Sequence, residues 1–530
     1  MEVNANQFWV LLVFICIPVL VNYIYNKIIK ENKNNKINYL INIFFSNSIS
    51  MFIFHYILKV ESFSYSAIDY CKYILCLIIS SVAMSIVFSS KKSEVLDSLT
   101  HKLKNLNNLK WTSITFVILI ILMLAVSPKI IFEPWIMVED GTVFLNQQFR
   151  NGLMAIFNPY GGYCILLSRL SAFVSAHLGK ITNSIVVTVM TLKWITIIFD
   201  VLVVNYINDE SNEWISKNKI TRLIFSILVM YLMGNFQFFF YNTTSAHWFC
   251  GLFCFLVGIN IITRKELPKL YLMPLIFISI LSSPSGLTIG FAILYYFICM
   301  LDWKKIISGT YKNLGLKNLF KLFIIGIALL LQILFILLNG SSNSNEHFSL
   351  LGSILKSLLL TLQTPIYMFG VNIALKFNDI IISSAFGAIM IVITFIVLYK
   401  NKKSKIFWYA FGTIFCLYFM TLYKNSNLNY YITLYQEKYW LYNALPATIC
   451  SFILYLAINE IVVTKKIKHI WILYIIVFCF LCQHLYIYSY EFTDNIWNIE
   501  DNVDFNSDTY EPIPIFPGGE WYLNVPVTKE

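Results

Sequence analysis

Residues 322–339 read LFIIGIALLLQILFILLN, eighteen positions without a charge. As an α-helix this stretch rises about 27 Å, close to the hydrocarbon thickness of a bilayer. The twenty residues before it, 302–321, hold five lysines, and basic residues concentrate in loops that stay on the cytoplasmic side. The same pairing of a long apolar run with a short basic loop recurs along the chain. Seven short segments (25–36, 91–110, 208–222, 264–269, 302–321, 400–405 and 464–469) hold 27 of the 39 basic residues. The net charge of +11 is therefore mostly a topology signal and not a nucleic-acid footprint.

Composition agrees. Of 530 residues, 58% are hydrophobic and 13% charged, where a soluble domain carries roughly 25% charged residues. The reading is an all-α polytopic membrane protein. A water-soluble enzyme, a nucleic-acid binder and a disulfide-stapled secreted domain are excluded. The eleven cysteines lie almost all inside apolar runs. Cys479 and Cys482 have a C-x-x-C spacing but no second pair, so they read as core residues.

Placing the basic loops inside orders the spans. Residues 8–24 (retained, since no small-residue cleavage site follows), 37–60, 70–90 and 111–128 form an N-terminal group within 1–128. A first large outer loop, 129–182, follows. The core, 183–490, has spans near 183–207, 223–241, 248–263, 322–339, 379–399, 406–423, 439–462 and 470–489. Residues 270–301 have basic loops at both ends and are expected as two short helices meeting at Ser282-Ser283-Pro284-Ser285-Gly286. Such broken backbone is tolerated only where protein or water covers it. By parity, 340–378 lies along the outer surface or dips in and returns. The count reaches about fourteen, with both termini outside. The tail 491–530 fits that placement, having nine acidic residues and one lysine.

The polar clusters fall on the outer side. Glu139-Asp140-Gly141 offers paired carboxylates at a membrane boundary, suited to general-base work or to capping a helix that begins near Thr142. Asn158-Pro159-Tyr160-Gly161-Gly162-Tyr163 forces a bend between the amphipathic stretches 142–157 and 164–178, and Arg169 follows. Its guanidinium suits a phosphate or carboxylate, and equally an interfacial anchor. Asn242-Thr243-Thr244-Ser245-Ala246-His247-Trp248 gathers amide, hydroxyl, imidazole and indole groups of the kind that hold a sugar, although Trp248 also fits an aromatic belt. Glu437-Lys438 opens the penultimate span as a phosphate contact or a solvated ion pair. Lys193 and Asp200, seven apart on one helix face, are expected to satisfy each other, partly through a neighbour, and not to carry ions. Pro512, Pro514, Pro517, Gly518, Gly519, Trp521 and Tyr522 give the tail an ordered-loop composition, suited to a lid or a sugar-stacking surface. His177, His247 and the acidic residues have no metal-binding spacing.

The order Glu139-Asp140-Gly141, Phe144-Leu145, Asn158-Pro159-Tyr160-x-Gly162-Tyr163, Arg169-Leu170-x-Ala172 resembles bacterial multi-span glycosyltransferases of the GT-C type, near the serotype-converting O-antigen glucosyltransferases. Asn242-x-Thr244-x-x-His247-Trp248, Ser283-Pro284-Ser285-Gly286 and Pro517-Gly518-Gly519-x-Trp521 fall in the same order. The ordered set carries the resemblance, over about 129 to the end. Lys438 departs from it, standing where arginine is expected.

The resemblance implies a plasma-membrane transferase moving a sugar from a polyprenyl-phosphate donor to a cell-surface glycan or lipid-linked acceptor, on the extracytoplasmic face and with inversion. It further implies GT-C-like outer re-entrant and amphipathic helices. Glu139 or Asp140 would be the base, Arg169 and Lys438 would meet the donor phosphate, and Tyr160, Tyr163, Asn242, His247, Trp248, Glu437 and Trp521 would line the sugar and acceptor sites. A donor linked through one phosphate demands no metal, so no cofactor is expected; the other partners are membrane lipids, with no nucleic acid. The alternatives are a lipid-linked glycan flippase or transporter, a polysaccharide polymerase, and a non-catalytic scaffold.

Overall fold

The computed structural model describes residues 106–126, 132–234, 242–300, 316–339, 350–369, 380–424, 443–464, 502–515 and 521–528. Nearly all of these belong to one compact unit, Asn107–Glu460 with Tyr488–Glu530. The remainder of the chain, Met1–Leu106 with Ile461–Ile487, is grouped as a second unit and, apart from Leu106 and residues 461–464, lies outside the described residues.

The described chain is 81% helical. Its α-helices are α1 (Asn108–Val126), α2 (Asn146–Asn151), α3 (Leu166–Thr182), α4 (Ile185–Asn205), α5 (Lys219–Gly234), α6 (Ala246–Arg264), α7 (Met273–Ser282), α8 (Ile289–Met300), α9 (Leu316–Asn339), α10 (Leu350–Gln363), α11 (Ile380–Lys400), α12 (Ser404–Lys424) and α13 (Ala444–Thr464). A π-helical turn, Asp140–Leu145, leads into α2, and two strands, β1 (Tyr510–Pro514) and β2 (Tyr522–Pro526), close the chain.

Among the described residues six helices are long and apolar enough to cross a membrane: Ile185–Asn208, Ala246–Arg264, Leu316–Asn339, Ile380–Lys400, Ser404–Leu422 and Ala444–Ile461. α7 and α8 with their flanking turns form a bent pair that brings the number to seven if taken as one span. Fourteen crossings are not reached among the described residues: the expected spans 8–24, 37–60, 70–90 and 470–489 lie outside them, 223–241 is described only to Gly234, Asn108–Leu124 is a shorter apolar helix, and the pair at 270–301 counts once at most. So does the Cys479–Cys482 pair.

α7 and α8 meet at 118°, which is the break expected at the Ser-Pro-Ser-Gly run. Pro284 disfavours helical backbone at the residue before it, and Ser283 is extended at φ −148°, ψ 132°. The Ser283 hydroxyl then accepts the Ser285 amide, starting the short 3₁₀ turn Pro284–Thr288. α10 packs against α11 and α12, and its continuing turn is tied down where Thr364 Oγ1 meets Tyr418 Oη at 2.9 Å.

The segment between α2 and α3 is ordered by its turn chemistry. A bridge between Tyr160 and Tyr163 closes around Gly161 (φ 57°) and Gly162 (φ 79°), conformations that other residues adopt at a cost. The turn reverses the chain into α3. α3 ends at Asn183 in the left-handed region, and the Ser184 hydroxyl caps α4 by accepting the Val187 amide.

The tail folds as an antiparallel hairpin and not as the expected loop: Tyr510 faces Pro526 and Pro514 faces Tyr522. Alternation explains this, since Ile513, Ile515, Leu523 and Val525 are buried while Glu511 and Tyr522 are exposed. The buried face joins Phe144, Leu145, Ile165, Ala172, Ile185 and Val189 in one core, so the tail and the segment 132–189 form one body. Asn146 clamps the hairpin, its Oδ1 accepting the Asn524 amide (2.8 Å) and its Nδ2 donating to the Tyr522 carbonyl (3.3 Å). Gly141 lets the two approach: a Cβ there would stand 2.7 Å from Ile515 Cδ1 and 3.6 Å from Leu523 Cβ. Gly141→Val is expected to loosen the hairpin at a cost of about 1–3 kcal/mol. Gly141→Ala, needing only a rotation of Ile515, is expected to be tolerated. Limited proteolysis of the tail in membranes separates the two outcomes.

Candidate functional site

Asp140 opens the π-helical turn and is buried, with 3% of its surface exposed. Its carboxylate caps no helix of its own. Thr142 starts no helix either, because the turn begins at Asp140, and Glu139 stands before it with no side-chain cap. Instead, Asp140 reaches the turn that precedes α6. The Thr243 amide donates to Oδ2 at 2.9 Å, while the Thr244 amide (3.0 Å) and hydroxyl (2.9 Å) donate to Oδ1. A carboxylate has about four acceptor positions, so roughly one, on Oδ2, remains for another proton.

Burial pushes the Asp140 pKa up to about 7, with the three donors opposing it and neighbouring Glu139 adding to it. A carboxyl poised there is half ionised near neutrality, the condition that favours a general base. The ionised form must do the work, so a rate limited by Asp140 is expected to rise with pH and level off above about 7. Thr244→Val removes a donor that favours the ionised form. It should move that rise upward by about one pH unit, as loss of a charge-assisted hydrogen bond implies. A pH–rate profile of both proteins checks this.

Arg169 lies on the first turn of α3 and is 1% exposed. Its Nε donates to the Asn158 carbonyl at 3.0 Å, so the proline–glycine turn positions it. The guanidinium carbon stands 4.9 Å from the centroid of the Phe144 ring, four residues beyond Asp140. Both terminal nitrogens are buried and have no hydrogen-bond partner among the described residues. Burial draws the Arg169 pKa down to about 10, which leaves it charged at neutral pH. The result is a fixed cation whose two-pronged edge is available to an anion.

Two further polar clusters, at Asn158–Tyr163 and Asn242–Trp248, converge on the same place. Tyr160 packs edge-on against Phe144 (5.4 Å between centroids), and Tyr163 stands 6.4 Å from His247. His247 Nδ1 meets the Thr244 carbonyl, and its ring lies against Trp248. The Ser168 hydroxyl donates to the Thr243 carbonyl (2.7 Å), and the Leu167 amide donates to the Ser282 hydroxyl at the α7–α8 break (2.8 Å). Asn242 is the turn's keystone: its Oδ1 accepts the Ser245 amide at 2.7 Å. The side chain is thereby engaged in the fold.

Asp140, Tyr160, Tyr163, Arg169, Asn242, His247 and Trp248 thus share one neighbourhood. Glu139 is half-buried beside Asp140 without a side-chain cap bond. Trp521 is 47% exposed on the hairpin. Glu437 and Lys438 lie outside the described residues. Sequence reasoning missed Phe144 as the platform for Arg169, the Thr243 and Thr244 donors, and the Asn146 clamp. Only contacts across large sequence separations reveal these roles.

The expected Lys193–Asp200 pairing does not form. Lys193 Nζ donates to the Glu133 carbonyl at 2.5 Å and stands 4.7 Å from the Trp135 ring. Neither Asp200 carboxylate oxygen has a hydrogen-bond partner among the described residues. Seven residues span about 10.5 Å along a helix, too far for the two side chains to meet directly.

Among the described residues no group of three or more His, Cys, Asp or Glu side chains is arranged to hold a metal ion. Comparisons with protein-family models, with curated proteins and with solved structures found no match.

Proposed function

We propose that this chain is a membrane glycosyltransferase, moving a sugar from a polyprenyl-phosphate donor to a glycan or lipid-linked acceptor on the extracytoplasmic face of a bacterial plasma membrane. One observation carries the reading: a buried carboxylate poised near neutrality holds the turn at Thr243 that Ser168 also holds, next to the buried Arg169 guanidinium, whose terminal nitrogens have no hydrogen-bond partner among the described residues. Transfer from a phosphate leaving group needs both parts. Asp140 takes the proton of the acceptor hydroxyl on Oδ2 as that oxygen attacks the anomeric carbon. Arg169 stabilises the phosphate charge that develops as the glycosidic bond breaks. Attack opposite the leaving group gives a single displacement with inversion.

Tyr160, Tyr163, His247 and Trp248 supply rings and polar edges around these two groups, a composition suited to a sugar. Glu139, without the hydrogen bonds that fix Asp140, is assigned a lesser role. Lys438 as a second phosphate contact, with Glu437 and Trp521 at the sugar and acceptor sites, completes the proposal. The apolar spans give a lipid-borne donor access from the bilayer.

The test is transfer of radiolabelled sugar from a panel of polyprenyl-phosphate sugars in membranes containing the full chain. Label in a lipid or glycan acceptor, lost on mutation of Asp140, supports the proposal. Label that crosses the membrane unreacted overturns it in favour of a lipid-linked glycan transporter, and transfer only of preassembled oligosaccharide favours a polymerase.

A further inference from the structure

His247 touches both halves of the candidate site. It lies in the first turn of α6, and its Nδ1 meets the carbonyl of Thr244, three residues before it. Thr244 is also the residue whose amide (3.0 Å) and hydroxyl (2.9 Å) hold Asp140 Oδ1. The imidazole stands 6.4 Å, centroid to centroid, from Tyr163. Tyr163 closes the proline–glycine turn whose Asn158 carbonyl holds Arg169 Nε at 3.0 Å. The Trp248 ring lies 4.4 Å from the imidazole, so ring contacts as well as the Thr244 bond set its plane.

A carbonyl oxygen only accepts, so Nδ1 carries the proton and the tautomer is assigned by its partner. In the neutral ring Nε2 is then an acceptor, and no group among the described residues donates to it. The residue is half-buried, which leaves its free edge room for a ligand. On the transferase reading, on which this inference rests, the transferred sugar lies between the base at Asp140 and the phosphate at Arg169. His247 is bonded to the turn that holds the first and stands beside the turn that holds the second. We propose that His247 Nε2 accepts a hydrogen bond from one hydroxyl of that sugar and thereby selects a hexose whose hydroxyl at that position is free. An acceptor without a proton makes a sharp distinction. A hydroxyl satisfies it, hydrogen leaves it unpaired, and fluorine, which cannot donate, does no better.

The test measures binding separately from transfer, using the purified full chain in detergent micelles. The probes are farnesyl-phosphate glucose, galactose and mannose, each also with single hydroxyls replaced by hydrogen or by fluorine. Expected is one position at which both replacements weaken binding to the wild-type chain about tenfold, as loss of one hydrogen bond implies. His247→Asn keeps a donor for the Thr244 carbonyl but has no atom at Nε2, and it should lose that preference. His247→Gln places an acceptor near the Nε2 position and gives up the Thr244 bond, and it should keep the preference. A ring that only braces the turn gives the reverse: His247→Asn behaves as wild type and His247→Gln does not. That reverse pattern overturns the proposal, as does a wild-type chain that binds none of the probes or shows no such position. If His247→Asn does not fold, His247→Gln decides, and loss of the preference in the folded variant overturns the proposal. Sugars bound with this preference but never transferred sink the transferase reading and leave the contact standing.

Discussion

Asp140→Asn is expected to lower sugar transfer by about 10²- to 10⁴-fold, the usual contribution of a positioned general base. The amide is nearly isosteric, but it cannot take a proton at neutral pH. It also presents an NH₂ to one of the two backbone amides that the carboxylate accepts, those of Thr243 and Thr244. Two consequences must therefore be separated: loss of chemistry and loosening of the turn before α6. Membrane insertion and Tm report the second, and Thr244→Val provides the contrast, since it removes one donor and leaves the carboxylate. Glu139→Gln is expected to retain most activity, because that side chain makes no cap bond and lies beside the site. A wild-type rate in Asp140→Asn would remove the base assignment. Equal losses in Asp140→Asn and Glu139→Gln would show that the two carboxylates act together.

Arg169→Ala is expected to reduce transfer by about 10²-fold or more, comparable with removing one preorganised donor from a developing oxyanion. Arg169→Lys should fall between, for a physical reason. Lysine keeps the charge but has neither the Nε–H that reaches the Asn158 carbonyl nor the paired edge for two phosphate oxygens. Arg169 is 1% exposed and packed on Phe144, so its removal also leaves a cavity. Added guanidinium ion distinguishes the effects. Partial recovery of transfer by Arg169→Ala in its presence marks a missing charge, whereas no recovery together with a lowered Tm marks a packing defect. If the two variants lose activity only in proportion to a lowered Tm, the phosphate contact is not at Arg169.

Local signals in the sequence were enough for much of the architecture. Apolar runs such as 316–339 and 380–400 carry within themselves their helical character and the length and low charge needed to cross a membrane. The break at Ser283-Pro284 was legible for a similar reason: proline acts on the residue beside it. The bend at Gly161-Gly162 follows from backbone freedom at those two positions. The tail hairpin was less legible. Its prolines and glycines suggest a loop, and the alternating burial that makes it a strand pair exists only once Phe144, Leu145 and their neighbours offer an apolar face.

Side-chain partners depend on tertiary placement. From sequence, Asp140 and Glu139 were equivalent, and Lys193 and Asp200 were a plausible pair. In the folded chain, two amides and a hydroxyl more than a hundred residues away single out Asp140. Trp135 and Glu133 draw Lys193 elsewhere and leave Asp200 without a hydrogen-bond partner among the described residues. The sequence by itself determined that this is a helical chain with helices long and apolar enough to cross a membrane, and with its polar clusters, break and turn at particular places, since apolar length and backbone preference act over a few residues. Only the tertiary structure decided that three of those clusters meet, which carboxylate is held, and which guanidinium has terminal nitrogens without a hydrogen-bond partner among the described residues. These depend on distances between segments remote in sequence, which no local preference encodes.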